Sequence, residues 1–335
     1  MDKMSFYQRV NNFIFRKVTK NNKFHLPNYE DLGNLKIRYI DIGAAGGLNE
    51  NMLFLAPILD ITGFEPDHRS LENLSKIFES QGVRSHKILP FALNKEKGEV
   101  DFYLTNKSFC SSMYEPDPSL AESYRVMDKF FPMEKTTINC EKLDDQVESA
   151  EWIKLDTQGS ELDILSGAER ILENCAVVET EVQYVPLYKN VPVFDEISQF
   201  LRQKGFQIID IMVSGWHEPY LRNSVHVSGG SKTPMYGNSI FIKEELLPRN
   251  LNTAVESEQI LKIFLILISY KKLGLAFSII AKAKDIGVLK QDHENLIIKI
   301  LNTRFNGFFI RLLGAMPKFI RSTDYRAVTS KKLSI

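Results

Sequence analysis

The sequence predicts an α/β protein whose parallel sheet is covered by helices. Three observations carry that prediction. From Leu35 onward, short apolar runs alternate with helical patterns, as strands and their crossover helices do. The first run ends in a glycine turn, Asp41-Ile-Gly43-Ala-Ala-Gly46-Gly47, and two later runs end on an acid, Glu65 and Asp156.

In order along the chain, Phe6, Val10, Phe13 and Ile14 recur at three and four, so residues 1–33 are expected to hold an N-terminal helix packed on the body. Arg9, Arg16, Lys17 and Lys20 beside that stripe leave a membrane-surface role as the alternative. The main domain is expected over 34–250. Its strands are Ile37–Ile42, Asp60–Phe64, His86–Leu93, Trp152–Leu155, Ala176–Val182, Phe206–Val213 and Ser239–Lys243, enough for a seven-stranded doubly wound sheet. Glu99 to Thr105 and Thr136 to Glu141 alternate polar with apolar residues, which predicts an inserted antiparallel hairpin over the site. After Pro248 the strands stop. Ile260–Ile280 and His293–Leu301 read as helices, so 251–335 is expected to be a helical appendage used for packing or homodimerisation.

Composition narrows the function. Lys+Arg and Asp+Glu both number 42, so no overall basic field collects nucleic acid or anionic lipid. Cys110, Cys140 and Cys175 lack CxxC spacing, and the N-terminus shows no apolar run of secretory length. The longest apolar run, Ile263 to Ile268, is far shorter than the roughly 20 residues of a transmembrane segment. A cytoplasmic protein with inert thiols is expected.

The glycines at 43, 46 and 47 suit a backbone that turns sharply from strand to helix and lets a ligand approach closely. Glu65, in Phe64-Glu65-Pro66, ends the next strand about 20 residues on, where a carboxylate accepts from both ribose hydroxyls. GxGxxG spacing is missing. Asp41 repels a pyrophosphate but suits a cationic, amino-acid-bearing cofactor, which favours S-adenosylmethionine over NAD. An NAD-dependent oxidoreductase and a non-catalytic nucleoside-binding module are the competing readings. In Trp152-Ile-Lys-Leu-Asp156-Thr-Gln-Gly-Ser-Glu161 a strand again ends on an acid. Strand ends form the ligand crevice of an open α/β sheet, so Asp156 and Glu65 are expected to share one cavity. Glu161 is read equally as a cap and as a functional group.

Taken in order, Tyr39-Ile-Asp-Ile-Gly-Ala-Ala-Gly-Gly, Gly63-Phe-Glu-Pro-Asp, Phe91-Ala-Leu, Ser111-Ser112, Leu143-Asp144-Asp145 and Ile153-Lys-Leu-Asp-Thr-Gln-Gly-Ser-Glu-Leu-x-Ile-Leu-x-Gly-Ala resemble the FkbM family of S-adenosylmethionine-dependent methyltransferases. The resemblance spans roughly residues 37–243. It implies a Rossmann-like methyltransferase sheet and O-methylation of a hydroxyl on a sugar or glycoconjugate, such as a surface polysaccharide. Thr157-Gln158 stand where many members have Val-Glu, and Ala45 where glycine is common. By the same resemblance Asp41, Gly43 and Gly46 hold the methionine part and Glu65 the ribose, with Ala45 and Pro66 as further cofactor-binding residues. Ala92 and Leu93, ending the third strand, contact adenine. Ser111 and Ser112 lie near the cofactor, and Asp156 sits beside the methyl group.

Methyl transfer to a hydroxyl needs an in-line approach and a proton acceptor. Asp156, Glu179 and Glu181 are the candidate catalytic residues. The two glutamates lie at i and i+2, on one face of a strand, and are expected to raise one another's proton affinity. A bridging divalent ion is an alternative without His-rich spacing to support it. Tyr184, His217 and His226 are the candidate acceptor contacts, and the histidines could serve as base instead.

Overall fold

The computed structural model describes residue 32 and residues 34–44, 46–124, 126–217 and 233–305. For 68, 69, 72, 108, 216, 217 and 301–305 it describes the backbone alone. The expected N-terminal helix, Ala45, His226 and residues 306–335 lie outside the described residues.

Seven strands form the main sheet in the order β3-β2-β1-β7-β8-β10-β9. They are β1 (Ile37–Ile42), β2 (Leu59–Phe64), β3 (Ser85–Leu89), β7 (Trp152–Leu155), β8 (Val177–Gln183), β9 (Phe206–His217) and β10 (Thr233–Lys243). The first five pair in parallel, and β10 runs antiparallel between β8 and β9. Every residue of β7 is buried, as a central strand covered on both faces requires. The winding direction reverses between β1 and β7, and the crevice at the carboxyl ends of these two strands is the expected ligand position.

The expected third strand is two strands. Pro90 lacks the N–H that continues a ladder, so β3 stops at Leu89. Ala92–Leu93 form β4, which leaves the main sheet and pairs with β6 (Pro132–Glu141). β5 (Gly98–Thr105) pairs antiparallel with β6, completing a small sheet in the order β4-β6-β5. The inserted hairpin therefore carries a strand end of the cofactor region with it.

Successive side chains of a strand face opposite sides, and the two cores follow that alternation. Ile40, Ile42, Ile153, Leu155 and Val178 pack on the side of α5 (Glu161–Ser166), α6 (Glu169–Asn174) and α7 (Phe194–Gln203). Ile37, Tyr39, Trp152 and Val177 pack on the other side, with α1 (His68–Ser80) and the C-terminal helices α8 (Ser257–Ser269), α9 (Leu273–Asp285) and α10 (Gln291–Phe305). The short helices α2 (Pro118–Ser123), α3 (Met127–Phe130) and α4 (Leu143–Gln146) flank the hairpin in sequence.

Apolar residues stand all round α8, and Ile260, Leu261, Ile263, Phe264, Leu265, Ile266, Leu267 and Ile268 are all buried, the pattern of a helix with protein on every side. Its single mid-helix cation, Lys262, pairs with Glu151 at 3.0 Å and with Glu258 at 2.9 Å. Residue 251 thus marks a change of element type within one continuous core. Among the described residues, no helix is long and apolar enough to cross a membrane.

Candidate active site

A cavity of about 700 Å³ opens at the carboxyl ends of β1, β2 and β7. Gly43, Gly46 and Gly47 border it after the first strand, Glu65 and Pro66 after the second, and Lys154, Asp156, Thr157, Gln158 and Ser160 at the end of the central one. Ala92 and Leu93 from β4, Phe102 and Leu104 from β5, and Thr136 and Ile138 from β6 supply the hairpin side, as the alternation in the sequence predicts. A second cavity of about 250 Å³ adjoins it, lined by Phe109, Cys110, Lys129, Phe130, Glu181, Gln183, Tyr188 and Tyr236 among others. Phe109, Asp156 and Gln158 border both.

Glycine is required at Gly43 for two reasons. Its φ is +79°, and a Cβ there would stand 2.1 Å from the Asp156 carbonyl oxygen. The turn brings two strand ends together, closer than any side chain allows. Glu65 is buried, and its Oε1 accepts from the Asp67 N–H at 2.8 Å.

Gln158 organises the junction. It is a non-glycine residue at φ +58°, a conformation that costs roughly 1–2 kcal/mol. Three contacts hold it there: Ser112 Oγ donates to its carbonyl at 2.7 Å, its Nε2 donates to Glu181 Oε2 at 2.5 Å, and Tyr188 Oη, which donates to the Cys110 carbonyl at 2.8 Å, lies 3.3 Å from its Oε1. The 3.5 Å separation from Asp156 Oδ1 makes a weaker fourth contact. Glu161 fixes the loop itself. Its Oε1 accepts from Thr157 N at 2.8 Å and its Oε2 from Gly159 N at 2.9 Å, so it caps the 157–159 turn. Burial pushes its carboxyl up to about 7.

Charge concentrates beneath the junction. Lys154 Nζ lies 3.3 Å from Asp41 Oδ1 and 3.7 Å from Asp156 Oδ2. Burial alone would lower the proton affinity of this ammonium. The charges of Asp41, Asp156 and Glu179 outweigh that effect and hold it above the ordinary lysine value. Burial also raises Asp41 and Glu179, against the pull of Lys154. Glu181 is raised well above the carboxylate range by burial first, then by Asp156 and Glu161.

Of the residues singled out in the sequence, Gly43, Gly46, Glu65, Pro66, Ala92, Leu93, Ser111 and Asp156 line the larger cavity, and Glu181 the smaller. Four others line neither. Asp41 shares the sheet face of Ile37 and Tyr39, and its side chain lies under the cavity floor, paired to Lys154. Ser112 is spent on the Gln158 carbonyl. Tyr184 packs on Phe194, ring centres 5.5 Å apart. Glu179 is held from below by Asn238 and Tyr270. The two glutamates share a face but do not raise one another: the carboxylates acting on Glu181 are Asp156 and Glu161, and the one acting on Glu179 is Asp41. His217 ends β9, with only its backbone described.

Two site residues escaped sequence reasoning. Lys154 stood in the motif without a role, although a lone charge within a fully buried strand demands partners. Gln158 looked like a departure from a family pattern, and its left-handed backbone leaves no trace in residue type.

A doubly wound seven-stranded sheet with a glycine turn, an acid ending the second strand and an acid-lined cavity at the switch point is that of a Rossmann-like, S-adenosylmethionine-dependent methyltransferase. The chain belongs to the FkbM methyltransferase family: residues 41–208 match the Methyltransferase FkbM domain. Among curated proteins it is similar to the 2-O-methyltransferase NoeI of Sinorhizobium fredii (strain NBRC 101917 / NGR234), 25% identical over 225 residues, 59% of this chain and 90% of that protein. Similar solved structures include an rRNA methylase from Streptococcus thermophilus, at TM-score 0.31 and 12% identity over 64% of this chain and 90% of that one. Another is a magnesium protoporphyrin IX methyltransferase from Synechocystis PCC 6803 with bound SAM, at TM-score 0.32 and 8% identity over 72% and 86%.

Proposed function

We propose that the protein methylates a hydroxyl of a sugar or glycoconjugate, binding S-adenosylmethionine in the larger cavity and the acceptor in the smaller. The observation that carries this reading is the junction: two cavities of unequal size meet at Asp156 and Gln158, with half-buried Glu181 on the acceptor side. The residues fit the cofactor. Glu65 ends β2 where a ribose is held, Gly43 gives close backbone approach, and the floor carries Asp41, Asp156 and Glu179 against one Lys154. Among the described residues the buried Asp41 Oδ2 has no hydrogen-bond partner, so the floor is short of positive charge and suits a cationic ligand.

The cofactor, when bound, supplies an electrophilic methyl group. Asp156 stands at the boundary the methyl must cross. The aromatic walls Phe130, Tyr188 and Tyr236 suit the apolar face of a sugar ring, and Gln183 offers it an amide. Glu181, ionised, accepts the proton of the reacting hydroxyl; its raised proton affinity makes it a stronger base than an ordinary carboxylate. Gln158 Nε2 aims that carboxylate, and Asp156 and Gln158, which border both cavities, would hold the reacting hydroxyl against the cofactor's methyl, where most of the rate advantage of such a transfer arises. The relative named a 2-O-methyltransferase supports an oxygen acceptor. Three buried free thiols fit a reducing, cytoplasmic setting.

Calorimetry with S-adenosylmethionine, its demethylated product and NAD tests the cofactor. We expect binding of the first two; binding of NAD alone overturns the reading. Methyl transfer from labelled cofactor to a panel of glycosides and glycan extracts tests the acceptor. Label found only on protein, nucleic acid or carboxylate products refutes it.

A further inference from the structure

Three charged side chains stand in one row across the sheet face that the C-terminal helices cover. The strand register sets Asp41 of β1 beside Lys154 of β7, and Lys154 beside Glu179 of β8. All three are buried. From the turn between α8 and α9, the Tyr270 hydroxyl donates to Glu179 Oε2 at 2.5 Å and accepts from Trp152 Nε1 at 2.9 Å. Asn238 Nδ2 donates to the other Glu179 oxygen at 3.0 Å. At its far end the row reaches the cavities, because Lys154 also faces Asp156.

We infer that Tyr270 is a positioning residue of the active site: by fixing Glu179 it keeps Lys154 shared among three carboxylates, which leaves Asp156 able to face a cation in the larger cavity. The inference rests on the reading of that cavity as the S-adenosylmethionine site. It makes a residue beyond the matched family domain, which ends at residue 208, part of the machinery that distinguishes a charged from a neutral ligand.

The groups facing Glu179 are Tyr39 and Asp41 from β1, Lys154 from β7, Asn238 from β10 and Tyr270 from the C-terminal turn. Burial drives the Glu179 carboxyl towards its neutral form, and the Tyr270 hydrogen bond is the strongest contact opposing it, ahead of Lys154 and Asn238. Without that hydroxyl, Glu179 holds its proton to higher pH. Lys154 then has two ionised partners, Asp41 and Asp156, and Asp156 is drawn down into the floor. The cavity loses negative field where a sulfonium would sit, and regains it as pH rises and Glu179 ionises.

The test uses the full chain and two ligands, cationic S-adenosylmethionine and its neutral product S-adenosylhomocysteine, titrated by calorimetry at about pH 6 and about pH 8. The readout is the ratio of the two affinities, which a general loss of packing does not move. For Tyr270→Phe we expect the ratio to fall about tenfold at the lower pH and to recover at the higher. Glu179→Gln should show the fall at both pH values, and the double variant should lose nothing further, as for residues in one chain of contacts. Glu179→Gln also keeps the inference testable should Tyr270→Phe fail to fold, since its amide still offers an oxygen to the Tyr270 hydroxyl. An unchanged ratio in folded variants overturns the inference, as do losses that add. If the wild type binds neither ligand, the cofactor reading itself has failed; wild-type binding with an unchanged ratio removes only the role of Tyr270.

Discussion

Replacing Lys154 by methionine removes one buried cation and keeps most of the volume. In the wild type its ammonium lies 3.3 Å from Asp41 and 3.7 Å from Asp156. Breaking a buried ion pair by removing one partner costs about 3–5 kcal/mol, because a buried charge is left uncompensated. That is a large share of the roughly 5–15 kcal/mol that holds a typical domain together. The dependence on pH gives the sharper check. Asp41 and Glu179 already have proton affinities raised by burial and restrained by Lys154; in the variant they rise further. A carboxyl raised in the folded state carries no penalty below its unfolded value, roughly pH 4. The penalty grows as pH climbs to the folded value and is constant above it. The Lys154 contribution comes from the charge of its partner carboxylates, so it shrinks as they take up protons towards pH 4, is present across neutral pH, and fades again only above the ordinary lysine value. Urea unfolding followed by circular dichroism should therefore show Lys154→Met only slightly weaker than wild type near pH 4.5 and several kcal/mol weaker near pH 7.5. Adding Asp41→Asn should restore part of the loss at the higher pH. A difference that is the same at both pH values, or below about 1 kcal/mol at pH 7.5, refutes the paired buried floor.

Glu65→Gln should weaken S-adenosylmethionine binding by about 1.5–3 kcal/mol, the range for a hydrogen bond to a charged group, with little change in melting temperature; calorimetry reads it. Glu181→Gln and Asp156→Asn should each keep cofactor affinity within a few-fold while turnover at saturating acceptor falls roughly 10²- to 10⁴-fold. In the wild type, kcat/KM should rise with pH through an inflection above the usual carboxylate range, since Glu181 accepts a proton only when ionised and its affinity is raised; a flat profile removes it as the base. Gln158→Gly and Gln158→Ala should lose equal activity, while the glycine variant is more stable by roughly 1 kcal/mol because φ +58° strains only the alanine.

Strand positions and the glycine turn were legible in the sequence because they depend on local pattern. β1 spans Ile37–Ile42 as read, and the hairpin lies over the cavity. The break at Pro90 was also written in the chain, as a residue that cannot donate to a ladder, yet the apolar run across it masked the change of sheet. What was not legible is which way a strand-end side chain points once its neighbours are placed. Asp41 and Gly43 are two residues apart in one motif; the acid lies below the cavity because odd positions of β1 face α8, whereas the glycine borders the cavity because the strand has ended and turned at its positive φ. Tyr184 follows Gln183 at the end of β8, and its ring goes to Phe194 while the Gln183 residue lines the smaller cavity. The C-terminal stripes read as packing, and they do pack. Tyr270 adds a single polar contact to Glu179, which periodicity cannot reveal since its partner lies 91 positions away.

The charge pattern of the floor also bears on turnover. With Lys154 set against Asp41, Asp156 and Glu179, and a chain whose formal charge is zero, the excess negative charge is local to the crevice. Asp41 and Glu179 are buried and poorly screened, whereas the Asp156 side chain is 42% exposed and shares its field with water. Such a floor binds a cation more tightly than the neutral molecule left once the methyl has gone. On the proposed reading, the interaction that loads the cavity weakens when transfer is complete, so product release is favoured without a conformational device. Holding a ground-state cation this way also opposes transfer unless negative charge waits on the acceptor side. On the proposed reading Glu181 would meet that need, since it borders the smaller cavity and would take the proton of the reacting hydroxyl, while Asp156 stands on the cofactor side. Gln158 touches both carboxylates, and it stands where the two fields must be balanced. A variant that disturbs Glu181 alone should therefore slow the chemical step while leaving release of the neutral product fast.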